Sequence, residues 1–307
     1  MKCYNLFSIP NKEIPIILLD YSTKKQFKTF CANNNFKDIE TAVQYFIVFG
    51  GLDIKIDTTK PLLELIETHI LNKYSELKNQ IHSLTGGYKI DHAVLTGIAQ
   101  GDRRTNSSFK RAYVSFEEGM KSVEALIEKG IIEIESSVLF LANKRGDSKV
   151  AKKLLFTTPF LRFWFAFVSP IYKGIKEKNY EEFYKLFENK QAEFGNFIFE
   201  ELAMEFVKDM FEEDPIKQIG KYWDDKREID LVAKTESGKI IVGNCKYITS
   251  KLKKNELNRL IDDAKSADLN AEIFLLFSKN GFSSELKSQK SEALRLFTPK
   301  SFKLLLA

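Results

Sequence analysis

Three polar side chains in the last third of the sequence have the types and spacing needed for phosphodiester chemistry. Asp230 lies in one apolar segment, and Asn244 and Lys246 lie in the next. Carboxylate and amide oxygens are ligands that Mg²⁺ accepts, and a bound metal would activate a water molecule and stabilise charge at a phosphate. A neighbouring Lys would orient that water or stabilise the developing charge. We therefore interpret these residues as a candidate metal-dependent site.

Whether the three side chains meet depends on the register of a predicted β-hairpin. Side chains alternate between the two faces of a strand, so Asn244 and Lys246 point the same way. Asp230 joins them only if the connecting loop has an odd number of residues, and a three-residue loop ending at Gly238 satisfies this. The predicted pairs are Thr235 with Lys239, Val232 with Val242, and Asp230 with Asn244. The alternatives are a surface carboxylate at Asp230 and a solvated strand residue at Lys246.

This arrangement resembles the PD-(D/E)XK nuclease superfamily. Asp230 corresponds to its central Asp, and Asn244-Cys245-Lys246 stands at its (D/E)-X-K position. A further acid of the superfamily often follows a Gly-x-x-x-Phe pattern on the first helix, and Gly195 to Glu200 match it. The resemblance implies that Glu200, Asp230 and Asn244 are metal ligands. It also implies that the catalytic set consists of Glu200, Asp230, Asn244 and Lys246, with Glu201 and Glu205 as competitors for the helix position.

A closer resemblance is to the C-terminal region of archaeal-type AAA-like ATPases, in which a winged helix leads through an aromatic linker into a nuclease-like domain. It covers about residues 45–300 and is carried by Thr158-Pro159-Phe-Leu-Arg-Phe-Trp-Phe165, Trp223-Asp224, Glu228-Ile-Asp230 and Gly243-x-Cys245-Lys246-Tyr247. The sequence contains no Walker A pattern, so the resemblance implies neither an ATPase domain nor a nucleotide cofactor.

One position departs from this pattern, which expects Glu where the chain has Asn244. An amide oxygen carries no net charge, so the change should weaken Mg²⁺ binding by something on the order of several kcal/mol. The site is therefore expected to be weakened, with Mg²⁺ or Mn²⁺ as the cofactor if it is active. Cys245 alternates to the opposite, buried face, where packing is the expected role.

The elements around these residues predict an α/β fold class, with an α-rich N-terminal half that contains a winged helix and a restriction-endonuclease-like α/β domain at the C-terminal end. The order α-β-β-β-α-β is predicted from helices near 193–210 and 254–267 and strands near 216–223, 228–233, 239–247 and 271–277. The predicted regions are a helical segment at 1–75, a winged-helix-like domain at 76–155, a connector at 156–192, and the nuclease-like domain at 193–307.

The winged-helix-like region offers candidate phosphate contacts. Its third helix opens at Ser115, with Glu118 three residues on, and a polar loop over 101–108 precedes it. The candidates are Arg103, Arg104, Lys110 and Arg111 around that loop, and Lys144, Arg145, Lys149, Lys152 and Lys153 at the expected wing. The third helix itself is acidic, with Glu117, Glu118, Glu124 and Glu128. Backbone contacts through loop and wing are therefore favoured over groove reading, and a protein partner is the alternative.

Composition sets the remaining expectations. The 307 residues carry a net charge of +5, which permits nucleic-acid binding without requiring it. The three cysteines lie far apart and show no zinc spacing, and neither a leader peptide nor a membrane-spanning segment is evident, so a cytoplasmic location is expected. The sequence predicts a DNA-binding protein with a nuclease-like domain. The alternatives are a catalytically inactive DNA-binding or scaffold protein, and a protein-interaction module derived from an ATPase regulatory region.

Overall fold

The N-terminal half of the computed structural model, which describes residues 22–142 and 150–307, is built from short helices. These are α1 (Thr23–Asn33), α2 (Ile39–Phe49), α3 (Leu62–Ile66, continued by a π-helical turn at Glu67–Leu71), α4 (Tyr74–Thr85), α5 (Lys89–Ala99), α6 (Thr105–Ala112) and α7 (Phe116–Glu128). None of the helices in these two ranges is both long and apolar enough to cross a bilayer.

The segment predicted as winged-helix-like has four helices, α4 to α7, before its pair of strands, whereas the sequence predicts three. After α7 come β1 (Ile132–Glu135), a 3-10 turn (Leu139–Ala142) and β2 (Lys153–Phe156), and the two strands pair antiparallel. The predicted cap of α7 is confirmed, since Ser115 and Glu118 form a reciprocal capping box. The predicted polar loop over 101–108 is wrong in its second half, because α6 begins at Thr105.

The aromatic segment that follows lies inside the protein. It forms α8 (Pro159–Phe163), a π-helical turn (Trp164–Val168), a 3-10 turn (Ser169–Ile171) and α9 (Tyr172–Lys176). Pro159 occupies the first turn of α8, where its missing N–H costs nothing, and Thr158 caps the helix. Its rings join one continuous core that extends from α1 to the C-terminal sheet.

A single helix of 30 residues, α10 (Glu181–Met210), connects this segment to the C-terminal half. Two helices were predicted here, near 179–189 and 193–210. The intervening stretch lacks Pro, and Gly195 does not interrupt the helix. A Cβ at Gly195 would lie 2.6 Å from the Tyr247 ring. The missing side chain therefore allows α10 to approach the Tyr247 ring, which directly follows β5.

The C-terminal half is a five-stranded mixed sheet, and the α/β class is confirmed. Its elements are β3 (Ile216–Trp223), β4 (Glu228–Thr235), β5 (Ile240–Lys246), α11 (Lys254–Ser266), β6 (Ala271–Ser278), α12 (Ser284–Lys287), β7 (Leu294–Phe297) and a 3-10 segment (Pro299–Leu306). The strands lie in the order β3-β4-β5-β6-β7, antiparallel from β3 to β5 and parallel from β5 to β7. Helices α10 and α11 pack against this sheet, the former within the continuous core and the latter within a separate one.

Candidate functional site

The hairpin of β4 and β5 has the register that the sequence predicts. Val232 pairs with Val242, and the Thr235 N–H donates to the Lys239 carbonyl at 3.1 Å. The loop between them spans three residues and ends at Gly238, whose φ is +97°. A positive φ of this kind favours glycine. The paired positions extend as far as Leu231, one residue short of Asp230.

A β-bulge turns the backbone at Asp230. Between β3 and β4, Gly220 pairs with Val232 and Tyr222 pairs with Ile229, so β4 has one residue more than β3 across this interval. Bulges of this kind redirect side chains and occur often beside functional sites. The Asp230 carboxylate accepts a hydrogen bond of 2.8 Å from the Cys245 N–H on the neighbouring strand. Asp230 therefore bridges β4 and β5 where their ladder ends.

The carboxyl group of Asp230 is buried and lies in the field of a second carboxyl group. Burial, followed by the charge of Glu200, raises the pKa of Asp230 to about 7. Lys246, the Cys245 N–H and Lys221 act in the opposite direction without reversing the shift. Glu200, Asp230 and Lys246 are thus electrostatic neighbours, as the predicted site requires. The pair of acids holds a proton more readily than either acid would alone in water.

Glu200 has an internal counter-ion that sequence reasoning missed. Its carboxylate lies 2.8 Å from the ammonium of Lys221, a β3 residue with no exposed surface. The other Glu200 oxygen accepts a hydrogen bond of 2.5 Å from the Asn196 side chain. Burial alone would raise the pKa of Glu200, but Lys221, followed by Arg103, outweighs burial and lowers it. Glu200 is therefore ionised, and its charge is neutralised within the protein.

Lys221 is shared between two carboxylates and an aromatic ring. Its ammonium also lies 2.8 Å from Glu201, and it sits 4.8 Å from the centre of the Phe197 ring. Glu201 was a predicted competitor for the position of Glu200, and in the structure both carboxylates pair with Lys221. The only sequence signal for this role is a Lys within the apolar run Ile219-Gly-Lys-Tyr-Trp223, where burial calls for a charged partner.

Asn244 and Lys246 are half-buried at the end of β5. The Asn244 side-chain oxygen accepts a hydrogen bond of 3.0 Å from the Cys245 N–H, the same donor that Asp230 engages. Cys245 itself is buried, as predicted. The oxygen that would serve as a neutral metal ligand is therefore directed back toward its own backbone.

The predicted ligand set fits a divalent metal poorly in this arrangement. Glu200 is neutralised by Lys221, Asn244 carries no charge, and the raised pKa of Asp230 reduces its ionised fraction near neutral pH. Mg²⁺ gives up its hydration water only for strong anionic ligands. Within residues 22–142 and 150–307, no group of three or more His, Cys, Asp or Glu side chains is arranged to hold a metal ion.

The candidate phosphate-binding residues divide into three groups. Lys144, Arg145 and Lys149 lie outside the described residues. Two others are internal, which corrects their assignment as direct phosphate contacts. Lys153 is 1% exposed, lies 2.5 Å from Glu228, and places its ammonium 4.5 Å above the Trp223 ring. Arg103 is 9% exposed and stacks 4.2 Å from the centre of the Phe197 ring.

The third group remains accessible. Lys110, Arg111 and Lys152 are exposed, and Arg104 is half-buried, with its guanidinium donating to the Asp224 carbonyl at 3.3 Å. The loop before α6 runs beside β2, because the Thr105 N–H donates to the Lys152 carbonyl at 3.0 Å. Loop and strand thus contribute to one surface. The acidic residues of α7 that argued against groove reading, Glu117, Glu118, Glu124 and Glu128, are all exposed.

Comparison with known proteins yields a family match over part of the chain. A model of the DUF234 family, described as archaeal and bacterial proteins of unknown function, matches residues 164–260. Neither a curated protein nor a solved structure gives a significant match to this chain. The matched segment runs from the π-helical turn after α8 into α11, so Glu200, Asp230, Asn244 and Lys246 lie within the part of the chain that is similar to this family.

Proposed function

We propose that this chain is a DNA-binding protein whose nuclease-like site binds metal weakly and cleaves DNA slowly or not at all. The observation that carries the proposal is the contact between Lys221 and Glu200. A metal ligand must offer its charge to the metal, and here a buried ammonium already holds that charge. Together with the neutral Asn244, this leaves Asp230 as the one acid of the predicted metal ligands that forms no ion pair within about 4 Å in the described chain.

The surface formed by the α6 region and β2 supports the binding half of the proposal. Arg104, Lys110 and Arg111 lie at the start of α6 or on it, and Lys152 precedes β2, which backbone hydrogen bonds join to the start of α6. Clustered Lys and Arg side chains bind phosphates and displace counter-ions without reading the base sequence. Because the neighbouring α7 is acidic, contact with the backbone of DNA is favoured over insertion of that helix into a groove.

Cleavage of plasmid and single-stranded DNA in Mg²⁺ and in Mn²⁺ tests the catalytic half. We expect little or no cleavage in Mg²⁺. Mn²⁺ should be the better activator, because it stands higher than Mg²⁺ in affinity for mixed ligands. The control is Asp230→Ala, which must abolish any cleavage that belongs to this site. Robust Mg²⁺-dependent cleavage by the unmodified chain, lost in Asp230→Ala, would contradict the proposal.

Metal binding can be measured without relying on activity. Asn244→Glu restores the acid that the resemblance expects, and titration calorimetry with Mn²⁺ should show binding tighter by roughly a hundredfold or more. The matched control, Asn244→Gln, changes length without adding charge and should bind like the unmodified protein. Equal Mn²⁺ affinity in Asn244→Glu and Asn244→Gln would show that residues other than Asn244 prevent binding.

DNA binding is tested by its dependence on salt and on the exposed basic residues. The logarithm of the affinity for duplex DNA should fall with the logarithm of the salt concentration, with a slope of about −0.9 for each phosphate contacted. Replacing Lys110, Arg111 and Lys152 with Ala should weaken binding evenly across sequences and flatten this slope. The charge-matched control replaces three other exposed lysines with Ala, namely Lys173, Lys176 and Lys185. Equal affinity in the two triple variants would move the contact elsewhere.

One observation favours a second function, namely binding of a protein. Tyr113 is 97% exposed and Phe116 is 59% exposed at the start of the acidic helix α7. Exposed aromatic side chains are enriched at protein interfaces, and acidic residues repel DNA. If duplex DNA does not bind at low salt, this surface becomes the leading candidate for a protein-binding site. A Phe116→Ser variant would then be compared with the natural chain for partner binding.

A further inference from the structure

A cavity of about 250 Å³ lies where three segments of the chain meet. Its walls come from the end of α5, from the π-helical turn after α8, and from the middle of α10. The apolar part of the lining consists of Ala99, Ala166, Phe167, Leu186 and Phe194. Gly101 and the polar residues Gln100, Arg162, Lys190 and Glu193 complete it, so one carboxylate lies beside the two cations. None of these residues belongs to the site around Asp230.

Arg162 lines this cavity with a charge that the protein only partly satisfies. The residue is 7% exposed, and its Nη1 donates to the Phe194 carbonyl at 2.7 Å. The guanidinium carbon lies 4.1 Å from the centre of the Phe194 ring and 4.7 Å from that of Phe197. Its Nε is buried and has no hydrogen-bond partner. No carboxylate of the described chain forms an ion pair with Arg162.

A buried guanidinium in this state is costly for the protein. An ionised group removed from water requires a partner of opposite charge or a full set of hydrogen bonds. Burial lowers the pKa of Arg162, and Arg103 adds to this effect, while Glu200 and Glu193 oppose it from a greater distance. An Arg side chain nevertheless stays protonated at neutral pH. The cavity thus contains a fixed positive charge with an unused donor.

The rim of the cavity provides a second cation that is only loosely held. Lys190 pairs with Glu193 at 3.2 Å, and the two side chains are 58% and 79% exposed. Exposed pairs of this kind contribute little to stability and exchange partners easily. Lys190 can therefore turn toward an anion that enters the cavity, whereas Arg162 is already in place.

We propose that this cavity binds a carboxylate group attached to an apolar body, with Arg162 as its anchor. A guanidinium matches a planar carboxylate through parallel hydrogen bonds, and Arg162 lines the cavity with an N–H at Nε that no group of the described chain accepts. A single buried cation neutralises one negative charge, which favours a carboxylate over a doubly charged phosphate. The mostly apolar walls then hold the rest of the ligand by burial from water.

Such a carboxylate has two possible sources, a free small acid or the C-terminus of a peptide. The probes that distinguish them are 3-phenylpropionate and a hexapeptide ending in Phe with a free C-terminus. Each has a neutral twin, 3-phenylpropionamide and the C-terminally amidated peptide. Binding to the full chain is measured by titration calorimetry and by the increase in melting temperature that a ligand of the folded state produces.

The expected result is that at least one acid binds and that its neutral twin binds about tenfold more weakly or not at all, as expected for loss of a charged hydrogen bond. Arg162→Met keeps an unbranched apolar chain without the charge and should lose this discrimination. Arg162→Lys should bind the acid with intermediate affinity. Because Arg162→Met could perturb folding, Leu186→Trp serves as a second variant. It leaves Arg162 unchanged, fills the cavity from a half-buried position on α10, and should abolish binding.

Binding of the small acid, of the peptide, or of both supports the proposal and identifies the source. The proposal is overturned if neither acid binds at concentrations up to about 10 mM. It is also overturned if acid and amide bind equally, or if folded Arg162→Met or Leu186→Trp binds the acid as well as the natural chain does.

Discussion

The carboxyl group of Asp230 makes the stability of this protein depend on pH in a specific direction. Burial and the charge of Glu200 raise its pKa to about 7 in the folded chain, whereas an Asp in an unfolded chain titrates near ~3.9. The folded state therefore binds this proton more tightly than the unfolded state does. The free energy of unfolding falls as the pH rises from about 4 to about 7, and above that interval the full cost remains.

Asp230→Asn removes the titrating group and keeps an oxygen that can accept the hydrogen bond from the Cys245 N–H. A difference of about three pKa units corresponds to roughly 4 kcal/mol. An amide oxygen is a weaker acceptor than a carboxylate, which offsets about 1 kcal/mol of this gain. We expect the variant to be more stable than the natural chain by about 3 kcal/mol near pH 8.5, and by less than about 1 kcal/mol near pH 5.

Urea denaturation followed by circular dichroism measures these differences, in the presence of a chelator so that no divalent ion contributes. The slope of the free energy with urea should be the same for both proteins, which shows that the midpoint reports stability. Asp225→Asn makes the same chemical change at an exposed residue and should show no such dependence on pH. A gain for Asp230→Asn that is equal near both pH values, or a loss near pH 8.5, would refute the reasoning.

Three further substitutions test single contacts of the fold, each by urea denaturation. Lys221→Met leaves Glu200 and Glu201 without their shared cation and should lower the free energy of unfolding by about 3–5 kcal/mol at neutral pH; a loss below about 1 kcal/mol would contradict a buried counter-ion. Gly195→Ala places a Cβ 2.6 Å from the Tyr247 ring and should cost about 1–3 kcal/mol, since α10 must move away from β5. Ser115→Ala removes the capping box of α7 and should cost about 1 kcal/mol, and an unchanged midpoint would show that the cap contributes nothing.

Local sequence patterns were sufficient for the elements that carry the candidate site. The predicted strands near 216–223, 228–233, 239–247 and 271–277 all exist, and the hairpin loop ends at Gly238 as predicted. Strand periodicity, turn residues and helix caps act between residues a few positions apart, so they can be read from the sequence directly. The register of β4 against β5 follows from the same short-range information.

The continuity of α10 was not predictable in the same way. Residues 179–193 are polar on most sides, which suggested a solvated helix followed by a separate one. In the folded chain, Phe183 and Phe187 pack against Phe163 at the end of α8, and Gly195 meets Tyr247. These contacts join residues far apart in the sequence, so they extend one helix through a stretch whose own pattern is ambiguous.

Only the tertiary structure decided which charges are available at the candidate sites. From the sequence, Lys153 and Arg103 resemble the other basic residues near them, and Lys221 is not part of any recognisable motif. The fold buries all three, pairs Lys153 with Glu228, and places Lys221 against Glu200. It also introduces the bulge that turns Asp230. The residue types determine which chemical groups are present in the chain. Burial and ion pairing depend on the packing of distant segments, and they determine which of those groups carry a charge that is available to a ligand.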